Sequence, residues 1–141
     1  MRVLILTVLL PLQAQAWTFT PGPICRLSHA TDMAEIELTF DPSAPLYSVT
    51  VTTPAPLPQA PFFSMRFIGP SGQTISTNRH AYGADGTSVT VTDTGFGNVL
   101  DGLQFNQSAE AIVGDTIIAF PLEGAAQQTA AFRACEAAAG V

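Results

Sequence analysis

Apolar and polar residues alternate in short runs along most of the chain, a pattern that is typical of β-strands with one buried face. The clearest run covers residues 35–40, in which every second residue is apolar. A turn with prolines at 41–45 separates it from a second alternating run at 46–53, so the two runs predict a β-hairpin. The side chains that we expect to face the core from these strands are Ile36, Leu38, Phe40, Tyr47, Val49 and Val51.

Later segments predict more short strands, separated by turns that contain glycine and proline. These strands are 62–68, 73–77, 88–92, 109–113 and 116–122, with Phe63, Met65, Phe67, Val89 and Val91 facing inward. Residues 54–61 hold several prolines, which cannot donate to a sheet ladder, so we expect a stiff extended loop there. Residues 97–105 show both helical and strand spacing, and we interpret them as a short helical turn that feeds a strand.

The composition changes after Gly124, where the chain becomes rich in alanine. Residues 125–139 contain no proline or glycine, which predicts a C-terminal α-helix. Short strands joined by tight turns favour a small antiparallel β-sandwich, or a partly open barrel. We therefore predict a mainly β fold, in which residues 17–141 form a single domain that ends in this helix.

The first residues of the chain have the layout of a secretory signal peptide. Arg2 supplies a positive charge, residues 3–10 are apolar apart from Thr7, and Ala14 and Ala16 form a small-x-small cleavage site. A membrane-spanning helix needs about 20 apolar residues, roughly twice what this run offers. We expect cleavage after Ala16, a periplasmic or secreted location, and no transmembrane segment in the mature chain.

Removal of residues 1–16 from the 141-residue chain leaves 125 residues, enough for one domain with one core. This mature part carries four arginines, no lysine and eleven acidic residues, a formal charge of −7. Nucleic acids and anionic membrane surfaces bind clustered Lys and Arg side chains, so we expect neither as a partner. The expected partner is a protein or a small-molecule ligand in the cell envelope.

The chain has two cysteines, Cys25 near the start of the mature part and Cys135 near the end. An exported protein with two cysteines is expected to form one disulfide. A bridge between them would close a long loop, which in the chain-entropy model stabilises the fold by about 4–5 kcal/mol. It would also fasten both chain ends, which otherwise tend to fray. A metal site or a reactive thiol is the alternative, but there is no CxxC motif or histidine close to either cysteine in a ligand pattern.

Asp93-Thr94-Gly95 follows the predicted strand 88–92 and resembles the active-site tripeptide of aspartic proteases. In those enzymes two facing carboxylates share a proton, because like charges at close range cannot both ionise. With one copy in the chain, the resemblance implies a homodimeric hydrolase in which Asp93 is catalytic. The other interpretation is a plain turn, because Asp, Thr and Gly are all turn residues. We prefer the turn, since too few residues follow Gly95 for the remainder of such a fold.

The polar loop 78–87 brings together three side chains that can recognise a carboxylate or a sugar, Arg79, His80 and Tyr82. These are candidate ligand-binding residues, and a solvated loop is the alternative. Neither this histidine nor His29 stands in a spacing typical of zinc ligands. The chain also lacks GxGxxG, P-loop and GxSxG patterns. We therefore expect no metal, no cofactor and no catalytic centre.

The C-terminal part of the chain resembles a known family. A Gly114-Asp115 turn precedes an apolar strand, followed by residues 120–124 (FPLEG) and an alanine-rich helix that ends at 132–135 (FRAC). This pattern is similar to the C-terminal unit of small exported proteins of alphaproteobacteria, such as the invasion-associated locus B family. The resemblance covers this unit alone, and the family's additional cysteines and central pattern are not found here. It implies a short β-rich periplasmic domain without catalytic activity, and it transfers no site residue.

These observations predict an exported β-sandwich that acts as a non-catalytic binding or structural module of the cell envelope. An accessory subunit of an envelope complex is one alternative, which a large exposed apolar patch would favour. The homodimeric hydrolase built on Asp93 is the other.

Overall fold

The computed structural model describes residues 7–9 and 16–139, with side chains described as far as residue 135. Residues 1–6 and 10–15 of the predicted signal peptide lie outside the described residues. Among the described residues, 18–139 contain two antiparallel β-sheets and two α-helices. This architecture confirms the predicted mainly β fold with a helix at its C-terminus.

Ten strands and two helices follow one another in the described residues. The strands are β1 Thr18–Thr20, β2 Cys25–Ala30, β3 Glu35–Asp41, β4 Leu46–Thr52, β5 Phe63–Ile68, β6 Gln73–Thr77, β7 Ala81–Tyr82, β8 Ser88–Asp93, β9 Ser108–Val113 and β10 Thr116–Pro121, and the helices are α1 Gly97–Phe105 and α2 Ala125–Ala139. The larger sheet has six strands in the order β1-β2-β3-β4-β8-β7, and the smaller has four in the order β10-β9-β5-β6. Their inner faces meet in one hydrophobic core.

The inward faces predicted for the β3–β4 hairpin are confirmed. The register pairs Ile36 with Val51, Leu38 with Val49 and Phe40 with Tyr47, and all six side chains are buried. Their neighbours along each strand point to the outer face, which carries mostly threonine, serine and glutamate. In these two strands, the alternation of apolar and polar residues in the sequence therefore correctly identifies the buried face of the six-stranded sheet.

Small and large side chains alternate across the inner face of the four-stranded sheet. Ala109 of the central strand β9 lies between Phe67 of β5 and Phe120 of β10, and all three are fully buried. The next inward row repeats the pattern with Ala111 between two larger neighbours. Such interdigitation lets large rings fill a core at the close-packed density of protein interiors.

Both ends of the described domain are fastened to its interior. The predicted disulfide between Cys25 and Cys135 is present and joins β2 to α2, with 6.6 Å between the two Cα atoms. Trp17 is 3% exposed, and its indole Nε1 donates a hydrogen bond of 2.8 Å to the carbonyl of Pro121. The Trp17 ring also stacks on His29 of β2. The first and last elements are thus held against the sheets by a covalent bond and a buried aromatic anchor.

The prediction for residues 97–105 was half wrong. All of the segment is helical, as α1, so residues 103–105 do not begin a strand; the strand that follows, β9, starts only at Ser108. Leu100 and Leu103 are both buried because their three-residue spacing places them on one helical face, whereas Phe105 is 50% exposed. Arg133 of α2 further holds α1 by hydrogen bonds to Gln104 and to the carboxylate of Asp101.

Three strands were not predicted. In β2, every second side chain is buried, but one of these buried side chains is the polar His29, so the sequence does not show a regular apolar pattern. β1 has three residues, and β7 has two and lies inside the loop predicted at 78–87. Strands this short carry almost no periodic signal, so tertiary pairing decides their conformation.

Asp41 and Asp85 each accept hydrogen bonds from a residue two positions later in the chain, in turns next to strands. Asp85 accepts hydrogen bonds from the backbone amide and the hydroxyl of Thr87, at 3.0 and 2.8 Å, and these bonds lower the pKa of Asp85. The hydroxyl and the amide of Ser43 lower the pKa of Asp41 in the same way. A pKa that is lower in the folded state than in the unfolded state means that the ionised carboxylate stabilises the fold. This stabilisation is fully present at pH values above the ordinary aspartate pKa. It is lost as the pH falls through the lowered value.

Gly102 of α1 is required by close packing, and this gives a testable prediction. A Cβ atom added at this position would overlap the ring of the fully buried Phe67. We expect Gly102→Ala to lower the free energy of unfolding by about 1–3 kcal/mol, although alanine favours a helix over glycine by about 1 kcal/mol. Urea unfolding followed by the fluorescence of Trp17, the only tryptophan of the chain, measures the change.

The matched control is Gly97→Ala at the start of the same helix, where an added Cβ meets no atom within 4 Å. This variant should unfold within about 0.5 kcal/mol of the wild type. Equal stability of the two variants would contradict the close packing of Gly102 against Phe67.

Candidate functional site

A cleft of about 450 Å³ opens between the two sheets, where β8 of one faces β6 of the other. Its size lies within the range of roughly 300–1,000 Å³ that is typical of ligand pockets. Apolar side chains from both sheets, from the loop after β8 and from α1 form most of its wall, namely Val49, Val91, Phe63, Met65, Ile75, Phe96 and Val99. The cleft is therefore a continuation of the hydrophobic core that reaches the surface.

The burial of β8 shows where the cover of the core ends. Val89 pairs with Tyr82 of β7 and is fully buried. Val91 points to the same face two residues later, but it lies beyond the end of β7 and is only partly buried. The cleft begins at this point because no strand continues the larger sheet next to Val91 in the described chain.

A charged pair stands at the rim of the cleft. A guanidinium nitrogen of Arg79 lies 3.2 Å from a carboxylate oxygen of Asp93, and both residues line the cleft. The other oxygen of Asp93 accepts a hydrogen bond of 2.7 Å from the amide of Thr94, which turns the chain out of β8. The side chain of Arg79 is 73% exposed, so a pair of this kind stabilises the fold little and its donors remain accessible to a ligand.

The loop from β8 to α1 closes one end of the cleft and leaves space in it. Gly95 and Gly97 both line the cleft, and a Cβ atom added at either would meet no atom within 4 Å. Between them, the buried ring of Phe96 stacks on Tyr47 at 5.4 Å between centroids and so anchors the loop. A hydrogen bond of 3.0 Å from Gln73 of β6 to the carbonyl of Asn98 fixes the other side.

His80 and Tyr82, which were predicted to act together with Arg79, make different contacts. The Nε2 atom of His80 lies 2.9 Å from the carbonyl of Ala60, which can only accept, so Nε2 carries the proton. The hydroxyl of Tyr82 donates to the carbonyl of Pro58 and accepts from the amide of Ala60, both at 3.0 Å. These two side chains thus fasten the proline-rich segment 54–61 to β7, and neither lines the cleft.

The chemistry that the cleft offers is apolar contact, one ion pair and a few neutral hydrogen-bonding groups. Its lining residues include no histidine and no cysteine. Asp93 faces a guanidinium, whereas the hydrolase hypothesis requires a second carboxylate beside it. Among the described residues, no group of three or more His, Cys, Asp or Glu side chains could hold a metal ion. The arrangement is suited to holding an apolar group with a polar end.

Arg79 and Asp93 were predicted as candidates for separate reasons, and their contact was not predicted. The contribution of residues 95–99 was missed entirely. The available signal was the pair of glycines on either side of Phe96, because side-chain-free positions around an anchored aromatic ring leave room for a ligand.

The contacts of Tyr82 generate a prediction about the proline-rich segment. Tyr82→Phe keeps the ring, which contacts His80 edge-on at 5.5 Å, but it removes the hydroxyl that bridges Pro58 and Ala60. We expect the free energy of unfolding to fall by about 1 kcal/mol and the amide of Ala60 to exchange its hydrogen faster. Hydrogen exchange resolved by residue measures both effects.

The amide of Leu57 serves as the internal control, because it donates to the carbonyl of Gly86 within the same segment and does not contact Tyr82. Its exchange should change much less than that of Ala60. An unchanged exchange rate at Ala60 would contradict the bridging role of the tyrosine.

Comparison of the chain with models of known protein families, with curated proteins and with solved structures found no match. Within residues 7–9 and 16–139, neither helix is long and apolar enough to cross a membrane. The resemblance of the C-terminal unit to the invasion-associated locus B family therefore stays a prediction.

Proposed function

We propose that this protein is exported to the periplasm and acts there as a non-catalytic binding module of the cell envelope, with the cleft as its binding site. The observation that carries the proposal is the cleft itself: an apolar cavity of about 450 Å³ with an exposed ion pair at its rim. A ligand that fits this site has an apolar body, which lies between the sheets, and a polar or charged end, which lies beside Arg79.

Export is supported by two features that are independent of the cleft. The disulfide between Cys25 and Cys135 is of a kind that persists in oxidising compartments such as the periplasm. The expected cleavage site lies directly before Trp17, the first buried residue among those that the structure describes. Cleavage after Ala16 would thus remove the leader and keep the aromatic anchor of the N-terminus.

The strand and helix that carry the family resemblance form one fastened unit. β10 leads through residues 122–124 into α2, whose Cys135 is bonded to Cys25. Membership of the invasion-associated locus B family would agree with a periplasmic location and a non-catalytic role, and it is part of this proposal. The hydrolase alternative gains no support from the site, because the charged group that pairs with Asp93 within the chain is the guanidinium of Arg79 and not a carboxylate.

Binding at the cleft is tested with an apolar probe that carries an anionic end, anilinonaphthalene sulfonate, by fluorescence titration. Gly95→Phe should weaken binding about tenfold or more, because the ring would occupy the space that the probe needs. Gly95→Ala should have a smaller effect, since its side chain is smaller. An added Cβ atom at Gly95 meets no atom within 4 Å, so Gly95→Ala should fold like the wild type, and circular dichroism checks that Gly95→Phe does so too.

Thr20→Phe is the matched control, since it adds the same ring to an exposed position on β1, at the far edge of the six-stranded sheet. It should bind the probe like the wild type. If the probe binds equally to Gly95→Phe and to the control, the cleft is not the binding site.

Export is tested separately by the intact mass of the full chain expressed in a bacterium with a periplasm. We expect a periplasmic protein that begins at Trp17 and is lighter than the reduced chain by the hydrogens of two thiols. Ala16→Arg should block cleavage and leave the leader attached, because small residues are required at the cleavage site. A full-length cytoplasmic protein with both thiols free would overturn the proposed location.

A further inference from the structure

Strands at the edge of a sheet present unpaired backbone N–H and C=O groups, which other chains can pair with unless the edge is protected. Three of the four edges here carry some protection. The backbone amide of Phe19 in β1 donates to the side chain of Gln128 on α2, at 3.0 Å. β7 has only two residues, and β10 ends in Pro121, which lacks an N–H group and whose carbonyl accepts from Trp17.

β6 lacks these protections. Its five residues, QTIST, contain no charge and no proline. It pairs with β5 in an unbroken register from Gln73 to Thr77, without a bulge. In the part of the chain that the structure describes, β5 is the only strand that pairs with β6. The outer backbone groups of β6 are therefore free to bond to another extended chain.

This bare edge lies directly beside the cleft. Ile75, Ser76 and Thr77 of β6 line the cleft on one side, and Val91 and Asp93 of β8 line it on the other. A strand that pairs with the outer edge of β6 would thus lie over the cleft. Because side chains alternate between the two faces of a strand, every second one would point inward.

We propose that β6 is a docking edge for an extended segment of a partner protein, which adds a fifth strand to the four-stranded sheet and places alternate apolar side chains in the cleft. In this mode of recognition, main-chain hydrogen bonds give affinity and pockets for alternate side chains give specificity. The inference rests on the proposed function, since it names the class of ligand for the same cleft.

The charge and the volume favour a foreign segment over a second copy of this chain. Pairing of two β6 edges would offer the cleft only one large apolar side chain, Ile75. It would also bring together two proteins that each carry a charge of −7 after leader removal, which repel one another. A neutral or basic segment with two or three apolar side chains on one face matches both the cavity and the charge.

The test uses the peptide Arg-Thr-Val-Thr-Leu-Thr-Val-Thr-Arg, whose apolar residues share one face, and two N-methylated forms of it. One form is methylated at its apolar residues and the other at its threonines. In an added strand the N–H groups of every second residue point at β6, and the others point away from it. The form whose methyl groups replace the hydrogens that point at β6 should therefore bind about tenfold more weakly than the parent. The other form should bind within about threefold of it. Since only the peptide changes, the fold of the protein is not at risk.

Isothermal titration measures these affinities, and hydrogen exchange shows where the parent peptide binds. We expect new protection among the amides of residues 73–77, and weaker binding of the parent peptide to Gly95→Phe than to Thr20→Phe. Equal effects of the two methylation patterns, or protection that excludes β6, would overturn strand addition.

The remaining outcomes separate the two proposals. If anilinonaphthalene sulfonate binds in a Gly95-dependent way and the peptide does not bind, the binding module stands and strand addition falls. If neither probe binds, both proposals fall. If sedimentation shows that the protein is a dimer, and hydrogen exchange shows that the amides of residues 73–77 are protected in that dimer, the edge belongs to a second copy and the foreign segment is ruled out.

Discussion

The inner face of the six-stranded sheet is wider than the four-stranded sheet that packs on it, and much of the remaining architecture follows from this difference. An apolar inner face must be buried against another element. On one side α2 packs on β1 and β2, and Phe132 of this helix reaches Tyr47 in the middle of the larger sheet. α1 packs between α2 and the smaller sheet. On the other side, next to Val91, the cover stops, and the cleft occupies the space.

The fastening of α2 is therefore part of how the sandwich is closed. The helix holds β1 through Gln128, holds β2 through the disulfide to Cys25, and holds α1 through Arg133. A helix this rich in alanine buries little apolar surface of its own, apart from Phe132 and a few small residues. A covalent bond and directional hydrogen bonds then supply what its packing does not. The closed side of the domain is held by these contacts, and the open side by the loop that the buried ring of Phe96 anchors on Tyr47.

The parts of the structure that the sequence predicted correctly are those where one short segment contains the whole signal. Strands such as β3 and β4 alternate cleanly, so their residues and their buried faces were both predicted. Residues 97–105 were ambiguous because Leu103 fits a helical period with Leu100 and a strand period with Phe105. In the structure they form one helix, which packs Gly102 against Phe67 and is held by hydrogen bonds from Arg133. β2 was hidden by a single buried histidine, His29, which stacks on Trp17.

The candidate site was predicted only as separate parts, because it is assembled by tertiary contacts. Arg79 precedes β7 in the chain and Asp93 is the last residue of β8, and nothing local to either position specifies the other. Tyr82 looked available for a ligand, but its hydroxyl is used by Pro58 and Ala60. Sequence alone could not separate a loop side chain that binds a ligand from one that binds the protein's own backbone.

A bare edge strand exposes a protein to unwanted pairing, so its position relative to the cleft matters more than its existence. If β6 were far from any cavity, a strand added to it would gain only main-chain hydrogen bonds. Because these bonds do not depend on side chains, β6 would then select little between different partner sequences. Here three residues of the strand that exposes backbone groups, Ile75, Ser76 and Thr77, also form one wall of an apolar cavity. An extended segment gains hydrogen bonds only where it also fits its side chains between Ile75 and Val91, so affinity and selectivity are coupled in one place. That coupling distinguishes a recognition edge from an unprotected one, and it connects the open side of the sandwich to the binding role proposed for it.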